Sequence, residues 1–136
     1  MSGSQVPSRR TLLKGAAAVP AAGLGLAACS SGDSGSSGPV DVGPEGEVPK
    51  GGAKLDRKNN VVVSRDSAGT LKAFSTICTH AGCPIAQLEG TRLTCNCHGS
   101  QFDATTGKVL RSPATEPLKE LPVQVKNGRI VANGSA

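Results

Sequence analysis

Tryptophan and tyrosine are absent from this chain of 136 residues, and phenylalanine occurs only twice. Aromatic side chains normally bring the largest apolar area per residue to a core, so the core must be built from Val, Ile, Leu and Ala and will be thin. Long hydrophobic runs are lacking too. The most apolar stretch, 15–28, is mostly Ala and Gly with Pro20 inside it, which is weaker than the roughly 20 strongly apolar residues of a membrane-spanning helix. Beyond that stretch no segment sustains a helical period. The basic residues after position 48 are spaced singly without interleaved aromatics. That speaks against a nucleic-acid surface and for a solvated basic face.

What the chain does have is 18 Gly, 9 Pro, 5 Cys and a net charge of +5, unevenly spread. Residues 1–28 carry Arg9, Arg10 and Lys14 without an acid (+3); residues 29–48 carry Asp33, Asp41, Glu45 and Glu47 without a base (−4); the rest carries +6. The length allows one domain, and a domain this small and aromatic-poor needs a staple, either disulfides or a metal.

The first block looks like a delivery signal. Ser8-Arg9-Arg10-Thr11-Leu12-Leu13-Lys14 resembles a twin-arginine export signal, a route that resembles one used for proteins exported already folded. Leu26-Ala27-Ala28-Cys29 resembles a bacterial lipobox, which implies cleavage before Cys29 and a lipid on its sulfur. The odd fifth cysteine is thereby accounted for. Cleavage there leaves 108 residues anchored on the outer face of the cell membrane. The acidic block, 29–48, includes SSGDSGSSGPVDVGPEG over 30–46, has no apolar period and reads as a flexible tether.

From residue 49 to 134 the pattern is that of strands. Asn60–Arg65 and Thr70–Ser75 flank the turn Asp66-Ser67-Ala68-Gly69, and Pro122–Lys126 and Arg129–Ala132 flank Asn127-Gly128, a strong hairpin signal. Short strands are expected at Arg92–Thr94, Gln101–Asp103 and Lys108–Leu110. The fold class is therefore a small antiparallel all-β domain.

Two dense boxes remain, Cys78-Thr79-His80-Ala81-Gly82-Cys83 and Cys95-Asn96-Cys97-His98-Gly99-Ser100. They hold four of the five cysteines and both histidines. Each offers a thiolate and an imidazole within two or three residues, so each can grip a metal from one tight loop. Disulfides alone would leave the histidines accidental. A zinc site of two Cys and two His would leave two cysteines idle.

The pair of boxes resembles the Rieske family, with C-x-H-x-G-C followed by C-x-C-H-G-S. The resemblance covers about residues 49–132 and implies a β-sandwich with a loop subdomain holding one 2Fe-2S cluster. It implies that Cys78 and Cys95 hold one iron, His80 and His98 the other, and that Cys83 and Cys97 form a disulfide between the loops. Imidazole in place of thiolate raises the potential into roughly −150 to +300 mV. Ser100 matches a family serine whose hydroxyl points at a bridging sulfide, and Ser112-Pro113-Ala114 falls where a third loop covers the cluster. Phe102 stands where high-potential relatives carry Tyr, so one tuning hydrogen bond should be missing. By the same resemblance His98 is the contact for quinol and for proton-coupled electron transfer.

Two roles fit these residues. One is the iron-sulfur subunit of a quinol to cytochrome c (bc) complex, with cytochrome or quinol-oxidising proteins as partners; the other is a Rieske ferredoxin serving an oxygenase. Oxygenase ferredoxins normally lack the Cys83 and Cys97 pair and stay in the reducing cytoplasm, so export and the disulfide favour the first. The 14 residues between His80 and Cys95, Ala81 in place of a larger apolar residue and Asn96 in place of Pro depart from the bc pattern. A free-standing exported carrier fits those departures, and a zinc-stabilised binding module requires that the cluster be absent.

Overall fold

A computed structural model describes residues 38–135. The twin-arginine motif, the lipobox with Cys29 and the first part of the tether, up to residue 37, therefore lie outside the described residues. Eleven strands form three antiparallel sheets, with a single 3-10 turn at Glu45–Glu47 and no α-helix among the described residues. The first sheet has β1 (Pro39–Pro44), β11 (Arg129–Asn133) and β10 (Val123–Lys126), in that order. The second orders β2 (Gly52–Asp56), β3 (Val61–Arg65), β4 (Leu71–Ser75) and β9 (Glu120–Leu121). The third orders β5 (Gln87–Glu89), β6 (Arg92–Thr94), β7 (Gln101–Asp103) and β8 (Val109–Arg111).

Strand β3 explains how so thin a core suffices. Val61, Val62 and Val63 are all 0% exposed, so both faces of the strand are covered. Val61 and Val63 pack with Val42, Val48, Ala73, Leu121, Ile130 and Ala132 between the first two sheets. Val62 faces the opposite way, with Phe74, Ile85, Leu93 and Phe102, under the third sheet. Both phenylalanines thus serve the core beneath the cysteine boxes.

Both expected hairpins form: Val61–Val63 pair with Ala73–Ser75, and Asn127 and Gly128 turn with φ of 51° and 73°, the left-handed pair a two-residue hairpin needs. The tether expectation fails at its end. Pro39–Pro44 forms β1 against β11, with Asp41 accepting the Gly43 N–H at 2.9 Å across a bulge. Val40 and Val42 are separated by a single polar residue, an alternation too short to stand out from the Gly and Pro around it.

Candidate metal centre

Strand β4 runs directly into the first cysteine box, and β6 and β7 hold the second between them. The two boxes adopt one backbone frame. Cys78 N–H donates to the Cys83 carbonyl and Gly82 N–H donates back to the Cys78 carbonyl, both at 2.8 Å. Cys95 N–H likewise donates to the Ser100 carbonyl and Gly99 N–H to the Cys95 carbonyl, again at 2.8 Å. The glycine closing each frame has positive φ, 74° at Gly82 and 81° at Gly99, a conformation that other side chains resist. That requirement accounts for the shared Gly of the two motifs.

The frames sort their side chains into unlike ends. Cys78 and Cys95 are free thiols, 3% and 0% exposed. His80 and His98 lie exposed, with ring centroids 4.7 Å apart and planes at 79°. Cys83 and Cys97 form a disulfide between the loops, Cα to Cα 6.6 Å. The sulfurs of Cys83, Cys95 and Cys97 lie within 4.8 Å of one another. Two of these are consumed by their mutual bond, so Cys95 alone of the three has a thiol to offer a metal.

Burial pushes the Cys95 thiol up from its ordinary range, and the Cys78 thiol beside it adds to the rise. Against this, the backbone N–H groups of Cys97 and His98 point at the Cys95 sulfur and favour its thiolate. A thiol so placed keeps its proton in the absence of a metal and would release it to solvent when the sulfur binds a cation. The donor set, buried sulfur at one end and exposed imidazole at the other with one of each from each loop, fits a binuclear group whose two metals have different ligands.

A third loop locks this arrangement. Ala114 N–H donates to the Ser100 hydroxyl at 3.0 Å, and the Thr79 hydroxyl donates to the Glu116 carbonyl at 2.7 Å. Because Ser100 Oγ accepts from Ala114, its own proton is free to point elsewhere. Thr79 and Glu116 carried no signal in the sequence, since a hydroxyl to backbone bond across 37 positions leaves no pattern. Phe102 is 0% exposed on β7, among the residues packed under the loops.

Residues 38–122 match the Rieske [2Fe-2S] domain family. The chain belongs to this family. The expected cofactor, a 2Fe-2S cluster, follows from that membership, and when bound it supplies reversible one-electron transfer. The Rieske domain is 36% identical over 94 residues to the cytochrome b6-f complex iron-sulfur subunit of Chlorobaculum tepidum, covering 68% of this chain and 51% of that protein. It is 33% identical over 94 residues to the ferredoxin component of a naphthalene 1,2-dioxygenase/salicylate 5-hydroxylase system from Ralstonia sp, covering 68% of this chain and 86% of that protein. Among solved structures, the cyanobacterial plasma membrane Rieske protein PetC3 from Synechocystis PCC 6803 superposes with a TM-score of 0.53 at 30% identity, covering 70% of this chain and 99% of that one. The chain spans about half the length of the Chlorobaculum subunit and less of the related Corynebacterium subunits. The all-β fold, the disulfide and the electron-transfer class read from the sequence stand.

Proposed function

We propose that this Rieske domain carries electrons at the outer face of a bacterial cell membrane, held there by a lipid on Cys29, in the manner of a bc-complex iron-sulfur subunit. Cys78 and Cys95 hold one iron of the cluster, and His80 and His98 hold the other at the exposed tip. The observation that carries the outer-face assignment is the Cys83–Cys97 disulfide, a bond that the reducing cytoplasm does not preserve. The sequence resemblances to a twin-arginine signal and a lipobox agree with it. In this reading His98, exposed beside His80, meets the quinol hydroxyl, as the family resemblance of the second box implies.

A second reading rests on length. The dioxygenase ferredoxin component is matched over 86% of its own chain, and the short connection between the boxes leaves no room for an inserted subdomain, so a free-standing carrier is the alternative. Fractionation separates the two. Expression in a host with twin-arginine and lipoprotein processing should place the protein in the membrane fraction with an acylated N-terminal Cys29 by mass spectrometry, and Cys29→Ala should release it. Soluble, unprocessed protein with reduced Cys83 and Cys97 would refute the outer-face assignment. His98→Ala should abolish the cluster's visible absorption; a retained spectrum contradicts the ligand assignment. Without Trp or Tyr, absorbance near 280 nm belongs almost wholly to the cofactor.

A further inference from the structure

Strand β8 contains a feature that holding a cluster does not require. Gln101 pairs with Arg111 and Phe102 with Val109, so Leu110 is an extra residue without a partner on β7. Val109 packs against the core beneath the metal loops. Leu110 is turned outward by the bulge and is 55% exposed, more than any other large hydrophobic side chain among the described residues. Arg111, next to it, is exposed and leads straight into Ser112-Pro113-Ala114, whose Ala114 N–H holds Ser100. Bulges on edge strands beside functional sites re-aim side chains in this way, and β8 is the outer strand of its sheet.

The charges of the domain indicate what such a pair would meet. Of the basic residues described, only Lys54, Arg65, Arg92 and Arg129 have carboxylate partners, so Arg111 and seven others have none. Among the acids, Asp41, Glu45, Glu47 and Glu89 are in those ion pairs, and Asp56, Asp66 and Asp103 accept hydrogen bonds within their own turns. Only Glu116 and Glu120 are left with unengaged carboxylates. The free surface therefore has a cationic surplus, and Arg111 brings it to the flank of the metal loops next to an apolar side chain.

We propose that Leu110 and Arg111 form the docking element for the protein that exchanges electrons with this domain, and that this partner presents an apolar spot rimmed by carboxylates. The bulge interrupts the regular ladder that strand addition would need, so recognition runs through side chains. The inference rests on the electron-carrier reading.

The test is binding of the oxidised holo-domain to an oxidised acidic plastocyanin, by calorimetry, at about 10 mM and about 150 mM ionic strength. With both proteins oxidised no electron moves. The dissociation constant should rise about tenfold between the two salts, and Arg111→Glu should weaken low-salt binding by about tenfold. Leu110→Ser should weaken binding about fivefold at both salts, its salt dependence intact. Lys50→Glu is the control, with the same change in net charge in the turn before β2, where the Lys50 side chain reaches Gly69 of the β3–β4 turn. It should have a much smaller effect than Arg111→Glu. Equal effects of Lys50→Glu and Arg111→Glu, or binding indifferent to Leu110→Ser, would overturn the proposal. Visible and EPR spectra of each variant keep the readings apart, since loss of the cluster from unmutated protein refutes the electron-carrier reading, whereas a spectroscopically intact domain with unselective binding refutes only the docking element.

Discussion

Ser100→Ala tests how the third loop and the metal loops depend on one hydroxyl. Ser100 is 0% exposed and its Oγ accepts the Ala114 N–H at 3.0 Å, while its carbonyl accepts Cys95 N–H independently. The substitution removes the acceptor, leaves the metal-loop frame closed and strands an N–H on a residue that is 3% exposed. An orphaned buried donor costs about 1–3 kcal/mol, which in a domain of about 100 residues lowers the melting temperature by roughly 4–20 °C. The same hydroxyl has its proton free for a cluster sulfur. A hydrogen bond to a charged acceptor is stronger than one to a neutral acceptor by about 1 kcal/mol, so the midpoint potential should fall by roughly 40 mV at 59 mV per 1.4 kcal/mol for one electron. Melting of the holo-domain at a fixed scan rate and film voltammetry measure the two effects. Unchanged melting would refute the orphaned-donor argument. An unchanged potential alongside a lower melting temperature would confine Ser100 to holding the third loop.

Three further outcomes follow from individual contacts. Phe102→Tyr should raise the midpoint potential, because the ring is fully buried under the metal loops and the added hydroxyl supplies a second sulfur-directed donor; equilibrium redox titration checks it, and a fall in potential contradicts the assignment of Phe102 as the missing donor. Replacing both Cys83 and Cys97 with Ala opens a loop with a sequence separation of 14 and should cost about 3 kcal/mol, read as a lower urea midpoint with little change in slope; an unshifted midpoint would show that the loops are held without it. Asp103 is lifted by partial burial but held below its ordinary value of 3.8 on balance by the hydroxyls and N–H groups of Thr105 and Thr106. A carboxylate with a depressed folded-state pKa contributes stability above its unfolded pKa and loses it as pH falls through the lower folded value. Asp103→Asn should therefore unfold more easily than the parent at neutral pH and converge with it in acid below 3.8, as read by urea midpoints across pH; a constant difference across pH would refute the linkage.

The metal loops were legible because their chemistry is local. Each ligand pair falls within a few residues, and each closing glycine is required by backbone geometry at Gly82 and Gly99. Hairpins were legible for the same reason, since Asn127-Gly128 and Asp66–Gly69 hold their turn signals in adjacent residues. What escaped is non-local. Strand β1 is a strand only because β11 offers it a ladder, and β9 is two residues long against Ala73 and Phe74. Strands β2 and β5 escaped too. Gly52–Asp56 alternates too weakly, and Gln87–Glu89 has one apolar side chain, Leu88, that packs on the core. The third-loop bonds from Ala114 and Thr79 join positions 14 and 37 residues apart. Thr76 Oγ1 is the reverse case, a buried hydroxyl on the approach to Cys78 with no partner among the described groups.

The two phenylalanines are the scarcest apolar resource in the chain, and the packing of Phe74 decides whether that scarcity is a constraint. Phe74 lies on β4, yet it belongs to the core under the metal loops, where Gly107 of the β7–β8 turn presses against its ring. A Cβ at Gly107 would stand 2.8 Å from two ring carbons and 3.2 Å from the Leu118 carbonyl, at a φ of 72°. Gly90, with a φ of 61°, has nothing within 4 Å of the same position. Gly90→Ala should therefore cost only the left-handed backbone penalty of about 1–2 kcal/mol. Gly107→Ala adds an overpacking cost of about 1–3 kcal/mol. The excess must be relieved by shrinking the ring, so Phe74→Leu should destabilise the Gly107→Ala background less than the parent, with a coupling energy of about 1 kcal/mol. Urea unfolding of the four members of the cycle, with Gly90→Ala beside them, measures each quantity. Equal costs for the two glycine substitutions, or additive behaviour of Phe74→Leu, would show that the turn does not bear on the ring and that the sheet under the metal loops is positioned by something other than this contact.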